Sequence, residues 1–236
     1  MIQTEGIFVG GSAISAPIIG EDFNWSGGDG TYQVLDDGGN WRIKFLSSGT
    51  FTPLKNMVID AFLVGGGGGA GSSYCGEGGA GYTTTVRSVV LTANTAYSIV
   101  VGAAGTNGNP SSAGGETTAF TASAAGGKNT SNGTSSSKRP GGAGGSGGAG
   151  YVSPVATTTG GTDGGDGTSS ATTGGKGQGT TTREFGEADG TLYASGGGSN
   201  LTATVSNSGN GGRNGITSIE PADGIVVIRQ HKEVAA

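Results

Sequence analysis

Two glycine-rich stretches resemble nucleotide-binding motifs, but their surroundings argue against that chemistry. Residues 66–71, GGGGAG, satisfy the pattern G-x-G-x-x-G and follow an apolar run. A dinucleotide fingerprint must open a helix, whereas the next residues, SSYCGE, show no helical period. The stretch GGKGQG at 174–179 looks like a phosphate loop, but Lys176 is followed by Gly177 where that motif requires Ser or Thr. We therefore expect no nucleotide cofactor.

Metal-binding residues are few. Asp163 and Asp166 stand in the stretch GTDGGDG, which is similar to glycine-rich calcium-binding repeats. Those repeats occur in tandem, and this chain has one imperfect copy, so a solvated turn is favoured and calcium binding stays open. A single cysteine, Cys75, excludes an internal disulfide and a cysteine-based zinc site. A single histidine, His231, excludes a multi-histidine metal site. We expect no metal cofactor.

Hydrolytic chemistry has little support in the sequence. A Ser–His–Asp hydrolase would have to use His231, and no G-x-S-x-G nucleophile elbow precedes a helix. Any two of the 17 acidic residues could meet as a glycosidase pair, but none stands in an aromatic-rich stretch. These observations favour a protein that is not an enzyme.

Recognition is the function that the remaining side chains favour. Several segments interrupt the glycine-rich blocks, and one of them, TTTREFGEADGTLY at 180–193, concentrates charged and aromatic residues. Arginine and aromatic side chains exposed on loops over a rigid scaffold commonly carry recognition. The candidate receptor-binding residues are Tyr74, Lys176, Arg183, Phe185 and Tyr193. The alternative for Phe185 and Tyr193 is that they cap the ends of the glycine-rich blocks.

The overall composition restricts the fold and the partners. Glycine accounts for 54 of 236 residues and proline for 6, which excludes collagen and disfavours helices. The formal net charge is −5 and basic residues are scattered, so we expect no nucleic-acid partner. The longest apolar run, residues 57–64, contains Asp60 and is too short to span a bilayer, so we expect no membrane insertion. The N-terminus has the acidic Glu5 and no basic residue before a short apolar stretch, unlike a secretory signal.

The elements that must position these residues are predicted to be about seven short strands and no helix. Trp41, Ile43 and Phe45 alternate with Arg42 and Lys44, the period of a half-buried strand. The apolar run 57–64 is typical of a strand covered on both faces. Four further segments are predicted to form strands: 82–91, 96–101, 117–122 and 224–231. The predicted organisation is an N-terminal attachment or assembly arm at 1–40, followed by a glycine-rich β-sandwich at 41–236. The alternative for the N-terminal segment is a strand added to the main sheet.

The glycine lies between the strands, in blocks. The block at 141–150 has the sequence GGAGGSGGAG, with a period of three. An extended left-handed helix of the polyproline II type has three residues per turn, so such a repeat leaves two of its three faces bare. Bare faces let neighbouring segments approach until their backbone groups form hydrogen bonds. We expect a bundle of polyglycine II helices; the alternative is a set of flexible linkers.

Several stretches together resemble a known family. They are 58–69, 79–82, 91–105, 114–115 and 223–229. They look like the glycine-rich domains encoded by bacteriophages and prophages, which occur in tail-fibre and other virion-surface proteins. The order of elements is also similar to the glycine-rich domain of anaplastic lymphoma kinase. That likeness implies an all-β, jelly-roll or TNF-like sandwich with an inserted bundle of polyglycine II helices.

The resemblance also implies a role. Small phage adhesins that cap tail fibres, to which the glycine blocks are more loosely similar, contact the host receptor with loops between glycine helices. We therefore expect a virion-surface protein, part of a tail fibre, adhesin or head fibre, that attaches to a host glycan or protein and is extracellular after lysis. The alternative is a structural subunit, a homo-oligomer that forms a filament or decorates a capsid, with residues 1–40 donating a strand. Binding to ice or another crystalline surface is a third hypothesis.

Overall fold

The computed structural model describes residues 22–28, 30–36, 41–72, 74–132, 139–151, 158–168, 174–214 and 218–231. Within these residues ten strands form, together with one short 3-10 helix at Glu184–Gly186. The strands are β1 (Phe23–Trp25), β2 (Tyr32–Asp36), β3 (Trp41–Phe45), β4 (Gly49–Pro53), β5 (Met57–Val64), β6 (Thr83–Leu91), β7 (Tyr97–Val100), β8 (Thr117–Ala119), β9 (Ala122–Ala124) and β10 (Ile225–Gln230). The expected all-β class is therefore confirmed.

The strands make two antiparallel sheets of five. The first sheet has the order β1-β4-β7-β8-β9, and the second has the order β2-β3-β10-β5-β6. The last strand, β10, lies in the middle of the second sheet, between β3 and β5. The second sheet is therefore complete only when the two ends of the described chain have come together.

A shared hydrophobic core joins the two sheets as a sandwich. Phe45 of β3 and Phe51 of β4 pack with ring centroids 5.5 Å apart, and Trp25 of β1 packs on Phe45 at 4.7 Å. Ile43, Phe45 and Ile59 are fully buried. The alternation predicted for 41–45 is confirmed, because Trp41, Ile43 and Phe45 point into this core.

Part of the predicted N-terminal arm forms strands of the sandwich. Residues 1–21, 29 and 37–40 lie outside the described residues. The described remainder supplies β1, an edge strand of the first sheet, and β2, an edge strand of the second. Phe23 and Val34 are buried in the common core, so the structure places these two strands in the folded domain and not in a separate arm.

Glycine-rich segments extend from the strand ends and bond to one another. We call them the glycine bundle, and they comprise residues 65–72, 74–82, 102–116, 125–132, 139–151, 158–168, 174–179, 194–214 and 218–224. Gly67 donates its N–H to the carbonyl of Ala222 and Gly78 donates to Gly212, each at 2.9 Å. A Cβ atom added to Gly67 would collide with the carbonyl oxygen of Asn210. Such close approach between backbones is incompatible with the alternative of flexible linkers.

Candidate functional site

The structure does not bring the five candidate recognition residues together on one exposed surface. Tyr74 and Lys176 are exposed, and Arg183 is half-buried. Phe185 and Tyr193 are buried and pack on Phe62 of β5, with ring centroids 6.0 and 5.6 Å apart. The expectation that these two aromatic side chains are exposed is therefore wrong. They cover the outer face of the second sheet and belong to the same cluster as Ala80 and Ala194 of the glycine bundle.

Residues 180–193, which we call the strap, provide this cover. Phe185 and Tyr193 form a second hydrophobic cluster with Phe62 and Val64 of β5 and Val227 of β10. Residues 59–64 of β5 and 225–229 of β10 are consequently buried on both faces, as predicted for the run 57–64, whereas Val58 is 41% exposed. The charged residues of the strap lie above the charged residues of the sheet.

Asp60 lies at the centre of this charged arrangement and is completely buried. Its Oδ2 is 3.2 Å from both the Nε of Arg229 and the Nη1 of Arg87, and its Oδ1 is 2.6 Å from the Nδ1 of His231. Burial acts to raise the pKa of Asp60, but hydrogen bonds from His231, the Ser88 N–H and Arg229 outweigh it and hold that pKa below its usual value. The carboxylate stays ionised in the interior.

Glu184 of the strap is the second buried carboxylate of this face. Its Oε1 is 3.2 Å from the Nη1 of Arg42, and its Oε2 is 3.9 Å from the Nζ of Lys44. The Tyr193 hydroxyl donates to Oε2 at 3.4 Å and accepts from Lys44 at 3.1 Å. Burial, followed by the charge and hydrogen bond of Glu184, raises the pKa of Tyr193, so the phenol stays protonated.

Arg229 connects Asp60 of the sheet to Glu187 of the strap. Its guanidinium lies 4.0 Å from the centroid of the Phe185 ring, and its Nη1 is 2.7 Å from a carboxylate oxygen of Glu187. We call Arg42, Lys44, Asp60, Arg87, Glu184, Glu187, Arg229 and His231 the charge cluster. Its ion pairs, together with the aromatic contacts, fix the strap to the sheet.

The charge cluster was not predicted, although the sequence contains a signal for it. Asp60 interrupts an apolar run, and Arg229 alternates with the apolar residues of β10. The register of β5 and β10 makes these two residues direct partners, although 169 positions separate them in sequence. A buried acid and a buried base in two central strands predict an ion pair only once the strands are known to be neighbours.

Ser88 and His231 meet beside Asp60. The pairing of β5 and β6 shifts between Ile59 and Ala61, so Arg87 and Ser88 both face the single residue Asp60 in a β-bulge. Ser88 has a positive φ of 57°, and its N–H donates to Asp60 Oδ1 at 3.2 Å. Its hydroxyl is 3.0 Å from His231 Nε2. The sole histidine thus lies between a serine and an aspartate.

A different set of residues forms the far end of the glycine bundle, which we call the bundle tip: 71–72, 74–76, 130–132, 139–140 and 150–151. Tyr74 is 44% exposed and packs edge-on against Tyr151, with ring centroids 5.6 Å apart. The backbone φ of Tyr74 is 47°, an unfavourable value for a bulky residue. The structure therefore holds this aromatic ring at the surface in a conformation that the backbone does not prefer.

Hydrogen bonds from neighbouring segments order the tip. Ser72 donates its N–H to the Asn132 side chain at 2.7 Å, and Gly71 donates to the Thr130 hydroxyl at 3.0 Å. Thr130 in turn donates to the carbonyl of Gly76 at 2.5 Å. Both flanks of Tyr74 are thereby attached to the adjacent segment.

The possible calcium ligands have protein partners. Asp163 accepts hydrogen bonds from the hydroxyl of Thr181, from the Thr182 N–H at 3.2 Å and from Arg183 Nε at 3.2 Å. The Thr181 hydroxyl is the main cause that lowers the pKa of Asp163. Asp166 accepts from the Gly177 N–H at 2.8 Å. Across the described ranges, no three or more His, Cys, Asp or Glu residues form a group that could hold a metal ion.

The exposed Lys176 contributes to the bundle through its backbone, because its carbonyl accepts from the Gly144 N–H at 3.0 Å. Within the residues that the structure describes, no helix is long and apolar enough to cross a membrane.

Comparison with known proteins agrees with this architecture. The family model described as a glycine-rich domain matches residues 46–229, more than three quarters of the chain. The match runs from the residue after β3 into β10 and so includes both the sandwich strands that follow β3 and the whole glycine bundle. No curated protein matches the sequence.

Proposed function

We propose that this chain, which belongs to the glycine-rich domain family, is a bacteriophage virion-surface protein that attaches the particle to a host cell. The observation that carries the proposal is the bundle tip, where Tyr74 is exposed and held against Tyr151 at the end of a backbone-bonded scaffold. The sandwich would join a tail fibre or head fibre, and the tip would contact a glycan or protein of the host surface. Binding alone, without a chemical step, accounts for this role.

The ordering of the tip supports recognition. A side chain that is already fixed loses little conformational freedom when it binds. Tyrosine suits this position because it presents a large rigid surface together with a hydroxyl group. The positive φ of Tyr74 is a local strain of the kind that accumulates at functional sites.

We also infer that the bundle segments are polyglycine II helices and that the sandwich is of the jelly-roll or TNF-like type. The period of three at 141–150 supports the first inference, as do hydrogen bonds such as those of Ala80 N–H to Ser146 and Gly145 N–H to Ala80, both at 3.0 Å. The two five-stranded antiparallel sheets support the second.

A binding assay with host cells tests attachment. Fluorescently labelled protein is incubated with a panel of bacterial strains, and the bound fraction is measured for the native chain and for Tyr74→Ala. We expect Tyr74→Ala to weaken binding at least about tenfold, as for an interface anchor. The control is Val205→Ala, because Val205 is 57% exposed and lies outside the tip. Equal binding by Tyr74→Ala and the native chain to a responsive strain would contradict the proposed contact.

One observation favours the alternative, a structural subunit that assembles into a filament or on a capsid. The edge strand β6 is nine residues long and exposes Val90 to 71%, beside Val58 on β5. Exposed strand edges can pair with another chain. Size-exclusion chromatography with light scattering separates the proposals, since long polymers would favour the structural role and a discrete species would favour attachment.

A further inference from the structure

The serine, histidine and aspartate beside the bulge of β6 form an arrangement that attachment does not use. We propose that Ser88 is a nucleophile, that His231 is its general base, and that the pair transfers acyl groups from small carboxylic esters. The chain of contacts runs from Ser88 Oγ to His231 Nε2 at 3.0 Å, and from His231 Nδ1 to Asp60 Oδ1 at 2.6 Å. The same succession of roles occurs on unrelated folds, where geometry and not sequence position identifies it.

Asp60 is suited to orient the histidine. Its carboxylate is completely buried, and hydrogen bonds from His231, the Ser88 N–H and Arg229 keep it ionised. An ionised carboxylate only accepts hydrogen bonds, so the proton of neutral His231 lies on Nδ1, towards Asp60. The lone pair of the imidazole is then on Nε2, the nitrogen nearer to Ser88. This is the tautomer that a general base requires.

Ser88 has the exposure and backbone conformation of a reactive residue. It is exposed on the edge strand β6, within a bulge, and its φ is 57°. Bulges often redirect a side chain beside an active site, and strained φ values cluster at such sites. The N–H of Ser88 is held by Asp60, so one carboxylate fixes both the bulge and the histidine.

The hydroxyl must move before it can react. Ser88 Oγ is 3.0 Å from Nε2 and 3.5 Å from Nδ1, a difference of only 0.5 Å. An oxygen on the axis of the Nε2 lone pair would be farther from Nδ1 by nearly the full separation of the two ring nitrogens. Ser88 Oγ therefore lies beside the ring. Rotation about χ1 of an exposed serine is fast, and catalytic hydrogen bonds commonly align only when substrate is bound.

The reaction balances without a cofactor. Ser88 Oγ forms a bond to the ester carbonyl carbon while His231 Nε2 takes the hydroxyl proton. The bond from carbon to the leaving oxygen then breaks, and the proton passes from His231 to that oxygen. Water, deprotonated by His231, attacks the acyl-enzyme, which releases the carboxylic acid and restores the Ser88 hydroxyl.

A fluorophosphonate probe tests the nucleophile on the full chain. Attack by Ser88 forms an oxygen–phosphorus bond and expels fluoride, and the modified residue is located by mass spectrometry of peptides. We expect labelling at Ser88, with loss of labelling in Ser88→Ala and in Ser88→Gly, which accepts the positive φ without strain. Ser98→Ala is the control, because Ser98 is exposed on β7 of the other sheet. His231→Gln should slow labelling at least about a hundredfold, the lower end of the usual range for general base catalysis.

Hydrolysis of p-nitrophenyl acetate supplies the second measurement. We expect a rate above that of the Ser88→Gly variant. Thermal unfolding of each variant shows whether the fold persists. Absence of probe labelling in the folded native chain, or labelling of Ser88 that His231→Gln leaves unchanged in a folded variant, would overturn the proposal. Neither result bears on attachment, which depends on the bundle tip.

Discussion

A buried carboxylate of the sandwich and a half-buried carboxylate of the glycine bundle have pKa values shifted in opposite directions. Asp60 in the sandwich contacts two arginines and a histidine, and its pKa is lowered. Glu77 in the bundle accepts a hydrogen bond from the Asn214 N–H at 2.7 Å. Burial raises its pKa to about 7, against the smaller opposing effects of that N–H and of Arg213. The desolvation penalty on the ionised carboxylate is therefore outweighed at Asp60 but not at Glu77.

The difference follows from what each region packs. The sandwich packs side chains, so cationic side chains can reach a buried acid. The bundle packs backbone against backbone, so its hydrogen-bonding groups are occupied by one another and few side chains are near enough to compensate a charge. Four predictions test this contrast, beginning with the largest expected effect.

Removing the charge of Asp60 should damage the sandwich most. In Asp60→Asn the buried Arg229 loses one of its two anionic partners, and loss of one member of a buried ion pair costs about 3 to 5 kcal/mol. The midpoint of guanidinium unfolding should fall accordingly. Asp189→Asn, at an exposed position of the strap, is the matched control and should change the free energy of unfolding little. A small effect of Asp60→Asn would mean that the charge cluster does not stabilise the fold.

Adding one methyl group should damage the bundle. In Gly67→Ala the new Cβ would collide with the carbonyl of Asn210, which other bundle bonds hold in place. We expect a loss of about 3 kcal/mol, the upper part of the range for overpacking. Gly165→Ala is the control, since its Cβ would be 3.1 Å from the nearest atom, the Thr162 carbonyl oxygen. Equal thermal stability of the two variants would show that the bundle tolerates side chains.

The pH dependence of stability should differ between the two acids. Because the pKa of Glu77 rises on folding to about 7 from 4.5, its protonated form stabilises the fold below pH 4.5, and this contribution is lost as the pH rises to 7. The full shift corresponds to about 3 kcal/mol, and partial solvent access reduces our expectation to about 2 kcal/mol. Glu77→Gln should remove this dependence and be more stable than the native chain above pH 7. Urea titrations at pH 4.5 and 8 measure the free energy of unfolding of the native chain and of Glu77→Gln. An equal decrease in both proteins between these pH values would contradict the prediction.

The smallest expected effect concerns the strap. Tyr193→Phe removes one hydroxyl that bonds both Lys44 and Glu184, at a cost of about 1 kcal/mol. Tyr74→Phe, which removes a hydroxyl at the exposed bundle tip, should leave the unfolding temperature unchanged. If both variants unfold at the native temperature, the polar contacts of the strap contribute nothing measurable and its apolar contacts hold it.

Local patterns predicted much of the sandwich because they depend on neighbouring residues. The alternation at 41–45 and the apolar run at 57–64 identify β3 and β5 and the faces that they bury. The burial of Phe185 and Tyr193 could not be predicted in the same way. Each stands among charged residues and glycines, without a period, and each is buried by Phe62, a residue more than 120 positions earlier.

The same difference between local patterns and long-range contacts applies to the candidate sites. Tyr74 could be proposed from the sequence because an aromatic residue between glycine blocks has few local partners. Its contact with Tyr151, and the meeting of Ser88, Asp60 and His231, depend on how distant segments are brought together. Such contacts are set by strand order and by the bulge in β6, neither of which any short stretch of sequence encodes.

Composition and periodicity by themselves determined that this chain is all-β, that glycine separates its strands, and that no cysteine framework supports it, because each of these properties is local or a simple count. The tertiary structure alone decided that the strap closes over the second sheet and that β10 inserts between β3 and β5. It also decided that neighbouring groups outweigh the desolvation penalty at Asp60 but not at Glu77. The physical reason is that a buried charge is stabilised only by groups within a few ångströms, and in this fold those groups come from distant parts of the chain.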